Sequence, residues 1–243
     1  TISSGYKHYV SWKDAYPMKN EEVKNYKEIP QNILLQGVFK KENILDIMQN
    51  FIVYDVDKGS SSKIKKVCRY QQFRAVNKAV KRIQEGKTSL QKGGVVWHTQ
   101  GSGKSLTMVF LARKIRNTKK LSDATIVIIT DRTDLDKQIF ETFQNNLTNT
   151  TPVRADGIEK MKELLRNSNA QVVTTTIQKF QSEKEEKAMS GLSSEESKSL
   201  GGLFVEKEYE ILSNKKNIIV MSDEAHRSQY SSTAANLRVA LPN

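Results

Sequence analysis

Four short apolar runs, set apart by helical segments, constrain most what this chain can fold into. They are Val95-Val96-Trp97, Ile126-Val127-Ile128-Ile129, Val172-Val173-Thr174 and Ile218-Ile219-Val220-Met221. Unbroken apolar runs of this length suit strands buried on both faces, and strands alternating with helices are expected to run parallel. Helices are predicted over 105–116 and 134–143, directly after the first and second runs. The chain therefore reads as α/β, with a parallel sheet covered by helices. Residues 182–202, rich in Ser, Glu, Lys and Gly, interrupt the alternation and read as a surface insertion.

Upstream the pattern changes. Ile33, Leu34, Leu35 and Val38, then Ile44, Leu45, Ile47 and Met48, recur at helical spacing, and Phe51-Ile52-Val53-Tyr54 reads as a strand. Gly59-Ser60-Ser61-Ser62 marks a loop. Residues 1–66 are thus expected as a mainly helical appendage and 67–243 as the α/β domain. A helix is predicted over 70–85, closed by Gly86.

Several classes drop out. No stretch approaches the length of apolar sequence that spans a bilayer, and the first residues lack the apolar core of a secretion signal. The single Cys68 forms no internal disulfide, and His8, His98 and His226 are too scattered to suggest a metal cluster. The expectation is a cytoplasmic protein with no membrane partner. The net charge is +12, and residues 61–120 carry 16 basic side chains against one acidic. That imbalance points to a polyanionic partner.

The most specific site is His98-Thr99-Gln100-Gly101-Ser102-Gly103-Lys104-Ser105, between an apolar run and a predicted helix. That is the setting of a phosphate-binding loop. Gly101 and Gly103 let the backbone turn its N–H groups, with that of Ser102, towards phosphate; Lys104 adds a compact positive charge, and the Ser105 hydroxyl is suited to Mg2+. His98 stands where the general pattern has Gly. A second constellation closes the fourth apolar run: Ser222-Asp223-Glu224-Ala225-His226. Adjacent carboxylates at a strand end suit ATP hydrolysis, Asp223 holding hydrated Mg2+ and Glu224 orienting and deprotonating the attacking water. Read alone, the Asp-Glu pair is also a serviceable helix start.

Together the Gly-Ser-Gly-Lys-Ser loop and the Asp-Glu-Ala-His quartet resemble superfamily 2 helicases and translocases, whose motor domain is RecA-like. Trp97 to Ser105 with His98, Asp223 to Tyr230, Thr130-Asp131-Arg132-Thr133-Asp134-Leu135-Asp136-Lys137-Gln138 and Thr174-Thr175-Thr176-Ile177-Gln178-Lys179-Phe180 are similar to the motor (R) subunit of type I restriction enzymes. That resemblance implies an ATP-dependent translocase of duplex DNA, using ATP and Mg2+, in a complex with methyltransferase (M) and specificity (S) subunits. Lys104, Asp223, Glu224 and His226 take the catalytic and coupling roles. Arg69 and Gln72, in Arg69-Tyr70-Gln71-Gln72-Phe73-Arg74-Ala75, resemble the adenine-reading element, since a Gln amide both donates and accepts. Segments 130–138 and 174–180 are implied to touch the DNA backbone, although Asp134 reads better as a helix N-cap, and the three threonines could equally satisfy neighbouring backbone.

The resemblance also implies parts lying elsewhere. A nuclease centre needs an acid followed by Glu-x-Lys; the only nearby candidate, Asp14 with Glu22-Val23-Lys24, has no strand around it, so residues 1–66 read as a connector between nuclease and motor. The second RecA-like domain and its arginine finger are expected beyond this chain, so residues 1–243 are expected to bind Mg·ATP and turn it over slowly. Two other readings share the motifs: another superfamily 2 DNA or RNA helicase, and a non-catalytic ATP-binding scaffold. The surplus cations read as a surface facing the DNA path or acidic partner subunits.

Overall fold

The computed structural model describes residues 10–56, 63–99, 101–147, 150–167, 169–180, 209–223 and 232–242. The chain divides into two compact units, Thr1–Asn117 and Thr118–Asn243. The predicted insertion, 182–202, lies outside the described residues.

The first unit contains α1 (Gln31–Gly37), α2 (Lys41–Asn50), an antiparallel hairpin of β1 (Ile52–Val56) and β2 (Lys63–Val67), then α3 (Tyr70–Glu85), α4 (Ser89–Lys92) and α5 (Lys104–Asn117). Helix α3 follows its periodicity, burying Phe73, Val76 and Val80 along one stripe. Phe51, at the entrance to β1, packs against Phe73 and Phe110 with ring centroids 5.0 and 5.6 Å apart. These three fully buried rings join the appendage to α3 and α5.

Polar ties reinforce the same junction. Arg113 of α5 donates to the carbonyls of Ile52 and Gln49, and Lys114 donates to Asp46 of α2 and Asn77 of α3. Asn117 donates to Asn50 at 2.7 Å. Arg74 pairs with the largely buried Asp14 at 2.8 Å. Several cations that read from sequence as surplus surface charge are therefore internal fastenings.

One predicted strand is absent. Residues 93–99 form no ladder, and Val95, Val96 and Trp97 are 82%, 48% and 90% exposed. Within this unit β1 and β2 pair with each other, and the apolar triplet adds to neither.

The second unit is the α/β body: β3 (Thr125–Thr130), α6 (Thr133–Asn146), β4 (Pro152–Arg154), α7 (Ile158–Arg166), β5 (Val172–Thr176), a 3-10 turn (Ile177–Phe180), β6 (Ile218–Ser222) and α8 (Ser232–Ala240). The sheet order is β4-β5-β3-β6, and every pairing is parallel. In the central strand β3 all six residues are buried, as a strand covered on both faces requires. Val127 and Ile129 share a core with Met161, Leu164 and Leu165 of α7 and with Phe180. This parallel sheet with flanking helices is the expected α/β architecture of a RecA-like ATPase. No described helix is long and apolar enough to cross a membrane.

Candidate functional site

The phosphate loop belongs to the first unit. Gly101 and Gly103 adopt φ +74° and +88°, a left-handed region that costs a residue with a side chain about 1–2 kcal/mol. At Gly101 an added Cβ would meet nothing within 4 Å, whereas at Gly103 it would stand 2.8 Å from Gln72 Nε2. The Gly103 carbonyl accepts three hydrogen bonds, from Gln72 Nε2 at 3.0 Å, the Thr107 N–H at 3.0 Å and Thr107 Oγ1 at 3.1 Å. Ser102 closes the turn, its hydroxyl donating to the Thr99 carbonyl at 2.6 Å. Lys104 and Ser105 are the first two residues of α5. Backbone N–H groups in a helix's first turn have no intrahelical acceptor and carry the positive end of the dipole, so this terminus suits phosphate.

Gln72 is 4% exposed. Its Oε1 accepts the Arg69 N–H at 2.8 Å, closing the start of α3, while its Nε2 holds the loop. The structure thus brings Arg69, Gln72 and Gly103 together. Each of the two atoms on which adenine reading would call makes one structural hydrogen bond, Oε1 at the helix start and Nε2 to the phosphate loop, out of the two that each can make. Sequence reasoning missed the tether, and also Thr107, whose only signal is a hydroxyl one helical turn past Gly103.

His98 feels the same charge as the phosphates would. Burial, and secondly the Lys104 ammonium, push its pKa below the usual histidine value, and its buried Nε2 has no hydrogen-bond partner among the described residues. It is held as a neutral ring beside the loop.

The acidic strand end belongs to the second unit. The half-buried Asp223 follows β6, and its N–H donates to the Ile129 carbonyl at 2.9 Å, carrying the ladder one residue past the strand. Glu224 and His226 lie outside the described residues, as does Gln100. Among the described residues no group of three or more His, Cys, Asp or Glu side chains is placed to hold a metal.

The C-terminal edge of the sheet corrects two expectations. Asp134 is not the N-cap of α6: that position is Arg132, and Asp134 lies in the exposed first turn, where its charge complements the dipole. Thr174, Thr175 and Thr176 are 0%, 0% and 3% exposed, inside β5, and so present no hydroxyl to a DNA backbone at the surface. Thr174 Oγ1 and Thr175 Oγ1 have no hydrogen-bond partner among the described residues. Of segment 174–180 only Gln178 is exposed and Lys179 half-buried.

The two edge segments are nonetheless tied to each other. Gln178 Nε2 donates to the Asp131 carbonyl at 2.7 Å. The buried Asp136 accepts from Arg154 Nε at 2.7 Å, and Lys179 donates to the Ala155 carbonyl. Arg154 is pushed up, chiefly by its hydrogen bond to Asp136, and Lys179 is pushed down by burial. Arg154 escaped notice because a lone Arg on a three-residue strand carries no periodic signal. Asp14 is spent on Arg74 and on the Tyr16 N–H, and Glu22 on the Lys19 N–H, so both of these acids of the nuclease candidate have structural partners.

Residues 71–243 match the family described as SWI2/SNF2 ATPase. The whole chain is 35% identical, over 260 aligned residues, to the type I restriction enzyme HindI endonuclease subunit of Haemophilus influenzae, covering 23% of that protein. It is also 35% identical over 217 residues, 87% of this chain and 18% of the relative, to the putative type I restriction enzyme MjaIXP endonuclease subunit of Methanocaldococcus jannaschii. A third relative, the C-terminal part of the putative MpnIIP endonuclease subunit of Mycoplasma pneumoniae, is 25% identical over 78% of this chain and 92% of its own length. The chain spans less than a quarter of the first two relatives.

Proposed function

Since this chain belongs to the SWI2/SNF2 ATPase family, in the form carried by type I restriction enzyme endonuclease subunits, we propose that it is the ATP-hydrolysing part of a motor that translocates duplex DNA before cleavage. The observation that carries this reading is the loop itself: two glycines at positive φ, with Lys104 and Ser105 opening α5. Gln72 fixes the loop through the Gly103 carbonyl, so the backbone is held in shape before a nucleotide arrives. Arg69 and Gln72 are assigned to the adenine side, and Gly101, Ser102, Gly103 and Lys104 to the phosphates. Ser105 and Asp223 are assigned to Mg2+ from the sequence motifs that carry them. When bound, the metal neutralises charge on the phosphate oxygens. Glu224 is assigned to the attacking water and His226 to relaying nucleotide state.

The neutral His98 adds no charge beside Lys104, which leaves that ammonium as the loop's cation. Duplex DNA and the methyltransferase and specificity subunits are the partners that this reading entails. In the full-length protein, Lys104→Ala is expected to abolish ATP binding and DNA-stimulated hydrolysis while leaving the unfolding midpoint in place. Unchanged ATP affinity and unchanged translocation would instead favour a scaffold.

A further inference from the structure

The structure sorts the basic excess of residues 61–120: some cations are fastened internally, and the exposed ones gather on β2 and, beside a groove, on α3 and α4. Arg74, Arg113 and Lys114 are fastened internally. Between Lys78 and Lys92, by contrast, five exposed cations, Lys78, Lys81, Arg82, Lys87 and Lys92, stand against a single carboxylate, Glu85. Lys78, Lys81 and Arg82 recur at i, i+3 and i+4 on α3, opposite the buried stripe of Phe73, Val76 and Val80. One helical turn, a rise of about 6 Å, separates Lys78 from Arg82.

The face is one wall of a built groove. At Gly86 the chain folds back so closely that a Cβ would come 2.8 Å from the Lys92 backbone N. Arg82 Nε donates to the Gly93 carbonyl at 2.5 Å, and the Thr88 hydroxyl caps α4 by accepting the Gln91 N–H at 3.2 Å. The resulting open groove, about 430 Å3, is lined by Lys78, Lys81, Arg82, Glu85, Gly86 and Gln91. Lys81 and Glu85 are 3.9 Å apart and both 67% exposed, a pair of the kind worth at most about 1 kcal/mol and readily exchanged for a phosphate.

We propose that this α3–α4 groove holds the phosphate backbone of duplex DNA, at a place the sequence resemblance did not point to. Its lining side chains are three cations, one carboxylate and one amide, with no aromatic or branched aliphatic anchor among them. A protein partner would need such anchors, and lysine is depleted from protein interfaces, whereas backbone phosphate asks only for spaced cations. The inference rests on the motor reading above.

The test uses the full-length protein and a duplex oligonucleotide without a recognition site, with affinity measured across a salt series. Each phosphate that a variant no longer neutralises lowers the magnitude of the slope of log K against log salt by about 0.9. Lys78→Gln/Lys81→Gln/Arg82→Gln is expected to reduce it by about 2.7, and Lys78→Gln/Lys81→Gln, which keeps the Arg82 tie to Gly93, by about 1.8. ATP affinity without DNA is expected to stay at the wild-type value. An unchanged slope in both variants overturns the proposal, and loss of subunit assembly with an unchanged slope makes the groove a protein interface instead. Wild-type protein that binds neither duplex nor ATP overturns the motor reading, and the groove assignment with it.

Discussion

Replacing Gly103 with alanine tests how the phosphate loop is held. Two costs arise at this position. The first is backbone strain, since φ is +88° and left-handed backbone costs a non-glycine residue about 1–2 kcal/mol. The second is displacement of Gln72, because the new Cβ would lie 2.8 Å from an amide nitrogen that is buried and already donating. A buried donor that loses its acceptor costs about 1–3 kcal/mol, so Gly103→Ala is expected to cost about 2–5 kcal/mol in all. Gly101→Ala is the control. Its φ is +74° and the Cβ would meet nothing within 4 Å, so strain alone remains. The assay is urea unfolding followed by tryptophan fluorescence, because Trp12 packs on Phe73 at 5.8 Å and reports on this unit. With a slope of about 2 kcal/mol per molar urea, the Gly103 variant should shift the midpoint by about 1–2.5 M and the Gly101 variant by less than about 1 M. In a Gln72→Ala background the clash is gone, and Gly103→Ala should then cost strain alone, a coupling of about 1–3 kcal/mol across the cycle. Additivity within about 0.5 kcal/mol, or equal costs at the two glycines, would refute the tether.

Three further outcomes follow from the second unit and from His98. Arg154→Met leaves the fully buried Asp136 carboxylate without its 2.7 Å partner and is expected to destabilise by about 3 kcal/mol; Asp136→Asn in that background should restore part of it, read by urea midpoint. Thr175→Val replaces a buried hydroxyl that has no partner among the described residues; stability should rise by about 1 kcal/mol and duplex affinity should not change, whereas a loss of DNA binding would return that hydroxyl to the DNA. His98 has a folded pKa below the unfolded value of 6.5, so below pH 6.5 the unfolded chain takes up the proton first and stability falls as pH drops. His98→Gln should flatten that decline, and an unchanged pH profile of the unfolding midpoint would show that the ring is not held neutral.

The sheet was legible where burial on both faces leaves an unbroken apolar run, as in β3 and β5, and α3 where a helical stripe recurs over four turns. Short or exposed elements left no such trace. Strand β2 reads Lys-Ile-Lys-Lys-Val and is mostly exposed in a two-stranded hairpin, and β4 has only three residues. The triplet Val95-Val96-Trp97 shows the converse error. Apolar character states a preference for burial, but a strand also has to pair, and Val95-Val96-Trp97 pairs with no described strand.

The candidate site divides along a similar line. Gly101, Gly103, Lys104 and Ser105 were legible because a phosphate-loop turn restricts residue type at consecutive positions. The bond from Gln72 to Gly103 spans 31 residues, and no local pattern could encode it. The threonines of β5 were ambiguous for a chemical reason, since β-branching and a hydroxyl ask for different surroundings. Their complete burial decides in favour of the branched carbon: in this sheet Thr174 and Thr175 fill space as valines would, and the hydroxyls are incidental to packing. Charge behaved the same way. Sixteen basic residues in one quarter of the chain pointed to a polyanion, yet only the structure separates Lys114, set between Asp46 and Asn77, from Lys78, which stands exposed on a groove wall. Composition sets how much positive charge must be accommodated, and packing decides which of it is left for a ligand.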